Sequence, residues 1–232
     1  MEKRIIDKEL GEIVLRHSQR ARHYSLKIGN GQIEAIMPMQ GDEKRMVQFI
    51  EENRAKLLKA LQKHPRKALL DEHCQRQMTT FRLHICRAER ENFYMQLAAG
   101  VLHIACPMDT DFASDEVQTI LKQMVERALR HEAKRLLPDR LKRLAQQHGF
   151  RYAGVKITHS RTHWGACNGK QAITLSLQLM TLPWHLIDYV LLHELCHTRE
   201  MNHSDKFWAW MDRVTDGKAK ELRQELKEKH TL

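Results

Sequence analysis

The sequence predicts an α+β fold, and three of its features lead to this prediction. Short segments in which apolar and polar residues alternate are broken by glycines, as in β-hairpins. Longer segments repeat apolar residues every three or four positions, as amphipathic helices do. One late segment, 183–200, is apolar almost all round, which is typical of a buried helix. Hairpins and helices therefore occur together in the first half of the chain, and the buried helix lies in the second.

The first half contains two predicted hairpins, each followed by a helical stretch. Alternation, a glycine turn, renewed alternation and a Pro-Met pair occur twice, at one constant offset of 69 residues. A structural repeat explains this register, and two unrelated hairpins are the alternative. We expect residues 1–110 to form an N-terminal hairpin-helix repeat region. The matched positions are Gly31 with Gly100, Pro38 with Pro107 and Met39 with Met108, and the alternating segments are 23–28, 32–37, 93–97 and 101–106.

Two long helical stretches follow the hairpins. The first is predicted over 42–62. The second begins near Asp115 and ends at His148-Gly149, and Pro138 is expected to interrupt it and open a further helix. Its outer face is either a solvated surface or a contact for nucleic acid or phosphate. The basic residues of this face are Lys122, Arg127, Arg130, Lys134, Arg135, Arg140, Lys142 and Arg143.

Length, charge and cysteine usage limit the classes of protein. With 232 residues, 42% of them hydrophobic, the chain can bury one large core or two small ones. A formal net charge of +10 favours anionic partners without choosing among them. The N-terminus has no signal-peptide pattern, and no segment approaches the roughly 18 apolar residues of a membrane span. Five widely spaced cysteines without a C-x-x-C motif indicate reduced thiols, so we expect a cytoplasmic protein with no membrane partner.

The buried helix predicted over 183–200 carries the chemistry. His193, Glu194 and His197 lie among its apolar residues, and burying such side chains without partners costs roughly 1–3 kcal/mol each. His193 and His197 are four residues apart, so their imidazoles project from one face and can share a zinc ion. Glu194 is rotated by roughly 100° about the axis, which places it to act on a water. This H-E-x-x-H pattern predicts a metal site with Glu194 as general base.

His203 is the candidate third ligand. It lies six residues after His197, so a turn near Met201-Asn202 must end the helix and bring it back, and Ser204 can cap the next helix from Asp205. Glu200 stands where related spacings have glycine. A histidine cluster without metal and a structural zinc site are the alternatives. Structural zinc sites use four protein ligands, whereas three histidines leave a position open for water.

The residues around this helix resemble the YgjP-like family of metal-dependent hydrolases, which are relatives of the SprT-like zinc metallopeptidases. The resemblance covers roughly residues 160–210. It implies a zincin-like fold over 111–232, zinc ligands at His193, His197 and His203, and hydrolytic activity. The motifs that carry it are Ile187-Asp188-Tyr189-Val190, His193-Glu194-Leu195-Cys196-His197, Asn202-His203-Ser204, Phe207-Trp208, Trp164-Gly165-Ala166-Cys167 and Ile173-Thr174-Leu175.

The chain departs from the family pattern beside the Trp-Gly pair. His163 stands where the family usually has Arg, and Ala166 where it usually has Ser. Arg161 and His163 are therefore candidates for binding negative charge in the transition state, and Trp164 is either a substrate contact or a core residue. The strand predicted over 172–177 can hold an extended peptide if it borders the cleft.

Three functions compete at this point. The first is a zinc-dependent peptidase acting on extended chain, in which Glu194 takes a proton from the attacking water. The second is pyrophosphohydrolysis of nucleoside triphosphates such as UTP on the same zinc site, which the resemblance also allows. The third is a nucleic-acid-binding protein that keeps a relict metal site. The expected partners are accordingly a peptide or nucleotide substrate, with nucleic acid on the basic face.

Overall fold

The computed structural model describes residues 2–29, 32–63 and 69–229. The chain divides into two compact units, Met1–Ala68 and Leu69–Leu232, each with its own hydrophobic core. The unit boundary therefore precedes the second sheet, whereas the sequence analysis placed a domain boundary at 110/111. The physical reason is that the second sheet packs against the long helix that follows it and shares one core with it.

The first unit is a four-stranded sheet covered by two helices. Its strands lie in the order β1-β2-β4-β3, with β2 and β4 parallel and the other pairs antiparallel. Alternate residues of β2 and β4 point into a core that also receives Met46, Ile50 and Leu57 from the helices. The elements are β1 Glu2–Asp7, β2 Gly11–Ser18, β3 Ser25–Gly29, β4 Gln32–Pro38, α1 Glu43–Glu52 and α2 Arg54–Lys63.

The helix predicted over 42–62 is two helices, and this part of the prediction was wrong. Asn53 lies between α1 and α2, and its side-chain amide donates to the Phe49 carbonyl at 2.9 Å. An asparagine that bonds the backbone in this way competes with the helical hydrogen-bond pattern. The start was predicted correctly, because Asp42 caps α1 by accepting a hydrogen bond from the Lys44 amide.

The second unit holds two three-stranded sheets around a central helix. One sheet has the order β5-β7-β6, and the other has the order β8-β10-β9. The strands β6 and β7 form the hairpin predicted around Gly100, and β3 and β4 pair at the earlier one, whose turn residues Asn30 and Gly31 lie outside the described residues. The elements are β5 Arg82–Arg87, β6 Tyr94–Ala98, β7 Val101–Cys106, α3 Asp115–His148, β8 Gly154–Thr158, β9 Gly165–Cys167, β10 Ala172–Ser176, a 3-10 helix Leu177–Thr181, α4 Trp184–His197, α5 Asp205–Val214 and α6 Ala219–Lys227.

Pro138 does not divide the long helix. The helix α3 runs unbroken from Asp115 to His148 with Pro138 inside it, so the predicted interruption was wrong. Proline removes one backbone hydrogen bond, but Ala133, Leu137 and Leu141 on both sides of it are buried in the same core. Their burial outweighs the lost bond. The predicted end is confirmed, because Gly149 takes the left-handed conformation at φ 70° and caps the helix.

The helix α4 is enclosed by the rest of the second unit. It contacts α3, α5, α6 and β9, and ten of its fourteen residues are buried. This confirms the sequence-based prediction of a buried helix, although its last helical residue is His197 rather than Glu200. In the described part of the chain, no helix combines the length and the apolar character that crossing a bilayer requires.

Candidate metal centre

Two adjoining elements bring three histidines together. His193 and His197 lie one turn apart on α4, and the chain then turns through 198–203 so that His203 faces them. Ser204 ends this turn, because its hydroxyl accepts a hydrogen bond from the Phe207 amide at 3.4 Å and caps α5. The turn and the cap predicted from the sequence are both present.

The three imidazoles point their Nε2 atoms at one another. The Nε2 of His193 lies 3.2 Å from that of His197 and 3.1 Å from that of His203. The Nδ1 of His197 donates to the Glu200 carbonyl at 3.0 Å, which leaves its Nε2 as a bare lone pair. Glu200 therefore orients the His197 ring through its backbone carbonyl, a group that any residue at position 200 would supply.

This donor set fits a metal ion. Burial, together with the neighbouring His197 and His203, lowers the pKa of His193 to about 3, so its imidazole is neutral. Three imidazole nitrogens that converge this closely can bind one cation between them. The three residues offer one ligand atom each, all within 4.8 Å of one another. An all-imidazole set of three suits Zn²⁺ and leaves one coordination position open.

Phe207 fixes the orientation of the three rings. Its ring is stacked on His197 at a centroid distance of 4.5 Å, and it meets His193 at 4.9 Å and His203 at 4.8 Å edge-on. Phe207 is fully buried on α5. Trp208, the next residue, stacks on the outer side of His203 at 6.1 Å. The imidazoles are thus held by aromatic packing as well as by the backbone.

Glu194 lies beside the histidines in a dry environment. Its side chain is buried, and this burial raises the pKa of the carboxyl group to about 8 when no metal charge is present. Gly165 of β9 lies directly against it, since a β-carbon at position 165 would come within 2.6 Å of Glu194 Oε1. The carboxyl group is therefore confined between α4 and β9.

A cleft of about 310 Å³ opens over this site. One wall is formed by residues around β9, and another by the C-terminal helix α6. Sequence reasoning missed the α6 wall, because no motif marks it and it follows His203 by some twenty residues. The lining residues are His163, Trp164, Gly165, Tyr189, Val190, His193, Glu194, His203, Trp208, Arg223, Leu226 and Lys227.

Two of the three predicted substrate contacts line the cleft in the structure, and the third does not. His163 and Trp164 line the cleft, His163 exposed and Trp164 partly buried against the core. Arg161 is exposed, does not line the cleft, and approaches the His159 ring with an Nε–Nε2 distance of 3.4 Å. His163 rather than Arg161 is therefore the residue that faces the site.

The strand predicted to border the cleft is the central one of its sheet. β10 pairs with β8 on one side and β9 on the other, so it has no free edge for a peptide. The long-range pairing with β8 could not be seen in the local alternation. Within the described ranges, β9 pairs with β10 alone, and β9 is the strand that lies beside Glu194. The open edge next to the site therefore belongs to β9.

The predicted basic face on α3 is partly neutralised within the chain. Arg130 pairs with Glu126 at 3.0 Å, and Arg135 pairs with the buried Glu132 at 2.6 Å. Arg140 binds both carboxylate oxygens of Asp188 on α4, and its guanidinium lies 4.6 Å from the Trp184 ring centroid. Arg140 is thus a link between α3 and α4 rather than part of a solvated face.

Three imidazoles that converge beside a buried carboxylate, on a buried helix of an α+β fold, are typical of metal-dependent hydrolases. The family model for the YgjP-like metallopeptidase domain matches residues 22–229. The chain belongs to this family, as the resemblance predicted, and it is a metallopeptidase-like protein whose family implies a bound metal ion.

Comparison with other proteins adds one solved structure. The crystal structure of the metallopeptidase zymogen of Pyrococcus abyssi abylysin is similar, with 26% sequence identity and a TM-score of 0.37. The similarity covers 42% of this chain and 99% of that chain. A search of curated proteins gives no significant match.

Proposed function

We propose that this protein is a zinc-dependent peptidase, with His193, His197 and His203 as the zinc ligands and Glu194 as the general base. The observation that carries the proposal is the convergence of three imidazoles next to a buried carboxyl group. When bound, zinc supplies Lewis acidity, which polarises a carbonyl group and lowers the pKa of water toward 7.

Glu194 moves the proton in this mechanism. Its carboxylate accepts a proton from the attacking water as the bond to the carbonyl carbon forms, and then returns it to the leaving amine nitrogen. Burial suits this role, because a base that is held in a dry, rigid site needs no reorganisation before reaction. Gly165 and α4 hold the carboxyl group from two sides and limit its movement.

The substrate is an extended peptide that lies along β9. The free edge of β9 offers backbone groups for strand addition, and it runs past Glu194. Trp164 and Val190 provide apolar surface for side chains next to the scissile bond. In this proposal the edge strand β9 takes the peptide-binding role that the sequence had suggested for the central strand β10.

Pyrophosphohydrolysis of nucleoside triphosphates is the second candidate. Arg223 and Lys227 line the cleft and favour an anionic substrate, which a triphosphate would satisfy. The peptide is preferred because Tyr189, Trp164, Val190 and Leu226 make much of the lining apolar or aromatic.

One experiment separates the two candidates. Protein purified without an affinity tag is analysed for metals, and the zinc-loaded form is incubated with casein and with a panel of nucleoside triphosphates. We expect about one zinc ion per chain and cleavage of casein that a chelator abolishes. Absence of any stoichiometric transition metal would overturn the site, and turnover of triphosphates alone would overturn the peptidase assignment.

A further inference from the structure

The cleft is electrostatically one-sided. Glu194 is the only acidic residue among those that line it in the described part of the chain, and Glu194 is buried. Arg223 and Lys227 are exposed on the α6 wall. The surface that meets a substrate is therefore apolar and aromatic with positive charge along α6.

Arg223 is oriented into the cleft by its neighbours. Its guanidinium lies 5.0 Å from the Trp208 ring centroid, and Trp208 in turn stacks on His203. Its positive charge acts on His193 and on Tyr189 across the cleft. Of the described carboxylates, none pairs with Arg223 within 4 Å.

The helix that carries Arg223 is tied to α4. His185 Nε2 lies 2.9 Å and 3.0 Å from the two carboxylate oxygens of Glu225, which is two residues along from Arg223. α6 also contacts α5. The guanidinium is thus a cation at a defined place beside the histidines of the cleft, and no carboxylate of the described residues neutralises it.

We propose that Arg223 binds a carboxylate of the substrate, so that the enzyme prefers peptides with a carboxylate close to the scissile bond. A guanidinium can bind a carboxylate with two parallel hydrogen bonds, and it can do so while it lies over an aromatic ring such as that of Trp208. The carboxylate is either an Asp or Glu side chain or the C-terminus of the peptide. This inference rests on the proposed peptidase function of the same cleft.

The test measures binding and cleavage separately. Three fluorescein-labelled peptides are used: one with a Glu and an amidated C-terminus, the same peptide with Gln for Glu, and the Gln peptide with a free C-terminus. Binding is followed by fluorescence anisotropy on zinc-loaded Glu194→Gln protein, alone and combined with Arg223→Gln, Arg223→Lys or Lys220→Gln. Lys220 is the control because it is an exposed cation on α6 that does not line the cleft.

We expect one of the two carboxylate peptides to bind roughly tenfold more tightly than the amidated Gln peptide, and added salt to reduce this preference. The peptide that shows the preference identifies its source. Arg223→Gln should abolish the preference, Arg223→Lys should keep part of it, and Lys220→Gln should leave it intact.

Equal binding of all three peptides, or a preference that survives Arg223→Gln, would overturn the inference. So would undetectable peptide binding, or Arg223-dependent binding of UTP that is tighter than that of any peptide. If the wild-type zinc protein cleaves no peptide while the Arg223-dependent preference persists, the carboxylate site is supported and the proposed peptidase function fails.

Discussion

The α-carbon of Gly165 lies against the carboxyl group of Glu194. A β-carbon on Gly165 would come within 2.6 Å of Oε1, 2.7 Å of Cγ and 2.9 Å of Cδ of Glu194. These distances are shorter than any van der Waals contact, so only glycine fits while Glu194 keeps its position. The edge strand therefore controls where the proposed base lies.

Gly165→Ala should reduce peptide turnover by about 100-fold while the protein keeps its zinc. The added methyl group displaces the Glu194 carboxyl, and a misplacement of about 1 Å at a catalytic group can cost this much. The three atoms nearest to the added methyl group all belong to Glu194, so the histidines should be unaffected. Zinc content and kcat are measured together.

Gly169→Ala is the matched control, because a β-carbon there meets nothing within 4 Å. It should leave both zinc content and kcat unchanged. Wild-type turnover in Gly165→Ala would show that β9 does not control the position of the Glu194 carboxyl group.

The sequence was most informative where the chemistry is local. His193, Glu194 and His197 lie within one helical turn, so their spacing alone predicted that the three side chains are close together. The cap at Ser204 follows a turn of six residues, and its position could be predicted in the same way. The apolar residues on nearly all sides of segment 183–200 likewise predicted that α4 is buried. Such features depend on the geometry of the helical backbone, which is the same wherever a sequence forms a helix.

The features that depend on distant contacts could not be predicted. Pro138 lies inside α3 because its surroundings bury both halves of the helix, and β10 is central because β8 pairs with it. In the sequence, Arg140 cannot be distinguished from the surface cations around it, but in the structure it binds Asp188 on another helix. Arg223 enters the cleft only because α6 folds back beside α4.

Arg140→Gln should lower the free energy of unfolding by about 1–2 kcal/mol. Arg140 Nη2 donates to Asp188 Oδ2 at 2.6 Å, and both side chains are about 70–75% shielded from solvent, with 30% and 25% exposure. A charge-assisted hydrogen bond in such a partly buried place is worth more than a surface ion pair. Denaturant unfolding gives the value.

Arg143 is an exposed cation on the same helix, and Arg143→Gln should change the free energy of unfolding by less than about 0.5 kcal/mol. Combining Arg140→Gln with Asp188→Asn should cost less than the sum of the two single changes, because the residues share one interaction. Strict additivity would show that the pair does not link α3 to α4.

Acid should weaken the first unit through Asp7. Two side-chain hydrogen bonds from Arg54, at 2.6 Å and 3.1 Å, and the backbone amide of Leu10 hold the pKa of Asp7 well below its usual range. A lowered pKa in the folded state stabilises the protein above the unfolded-state pKa of about 3.9, and this stabilisation is lost as the pH falls below it.

Asp7→Asn should therefore destabilise β1 and β2 at pH 7, and its difference from wild type should shrink as the pH falls below about 4. Native-state hydrogen exchange of the β2 amides in the full-length chain measures this difference. Glu52→Gln, at an exposed position on α1, should show no comparable pH dependence. A difference between Asp7→Asn and wild type that stays constant down to pH 2 would refute the assignment to Asp7.

The different roles proposed for Glu194, as general base, and His203, as metal ligand, predict different outcomes for two substitutions. Glu194→Gln keeps the size of the side chain but cannot accept a proton, so it should retain zinc and the fold while kcat falls by about 10²–10⁴. His203→Ala removes one of three converging nitrogens. Its zinc affinity should fall by more than the roughly 10–100-fold cost of losing an outer-shell partner, and thermal stability should fall with it because metal binding is coupled to folding. Zinc content, thermal unfolding and peptide cleavage are measured on both variants. Full activity of Glu194→Gln would disprove the general-base role even with zinc bound, and full zinc occupancy in His203→Ala would place the third ligand elsewhere, with Glu200 and Asp205 as the next residues to test.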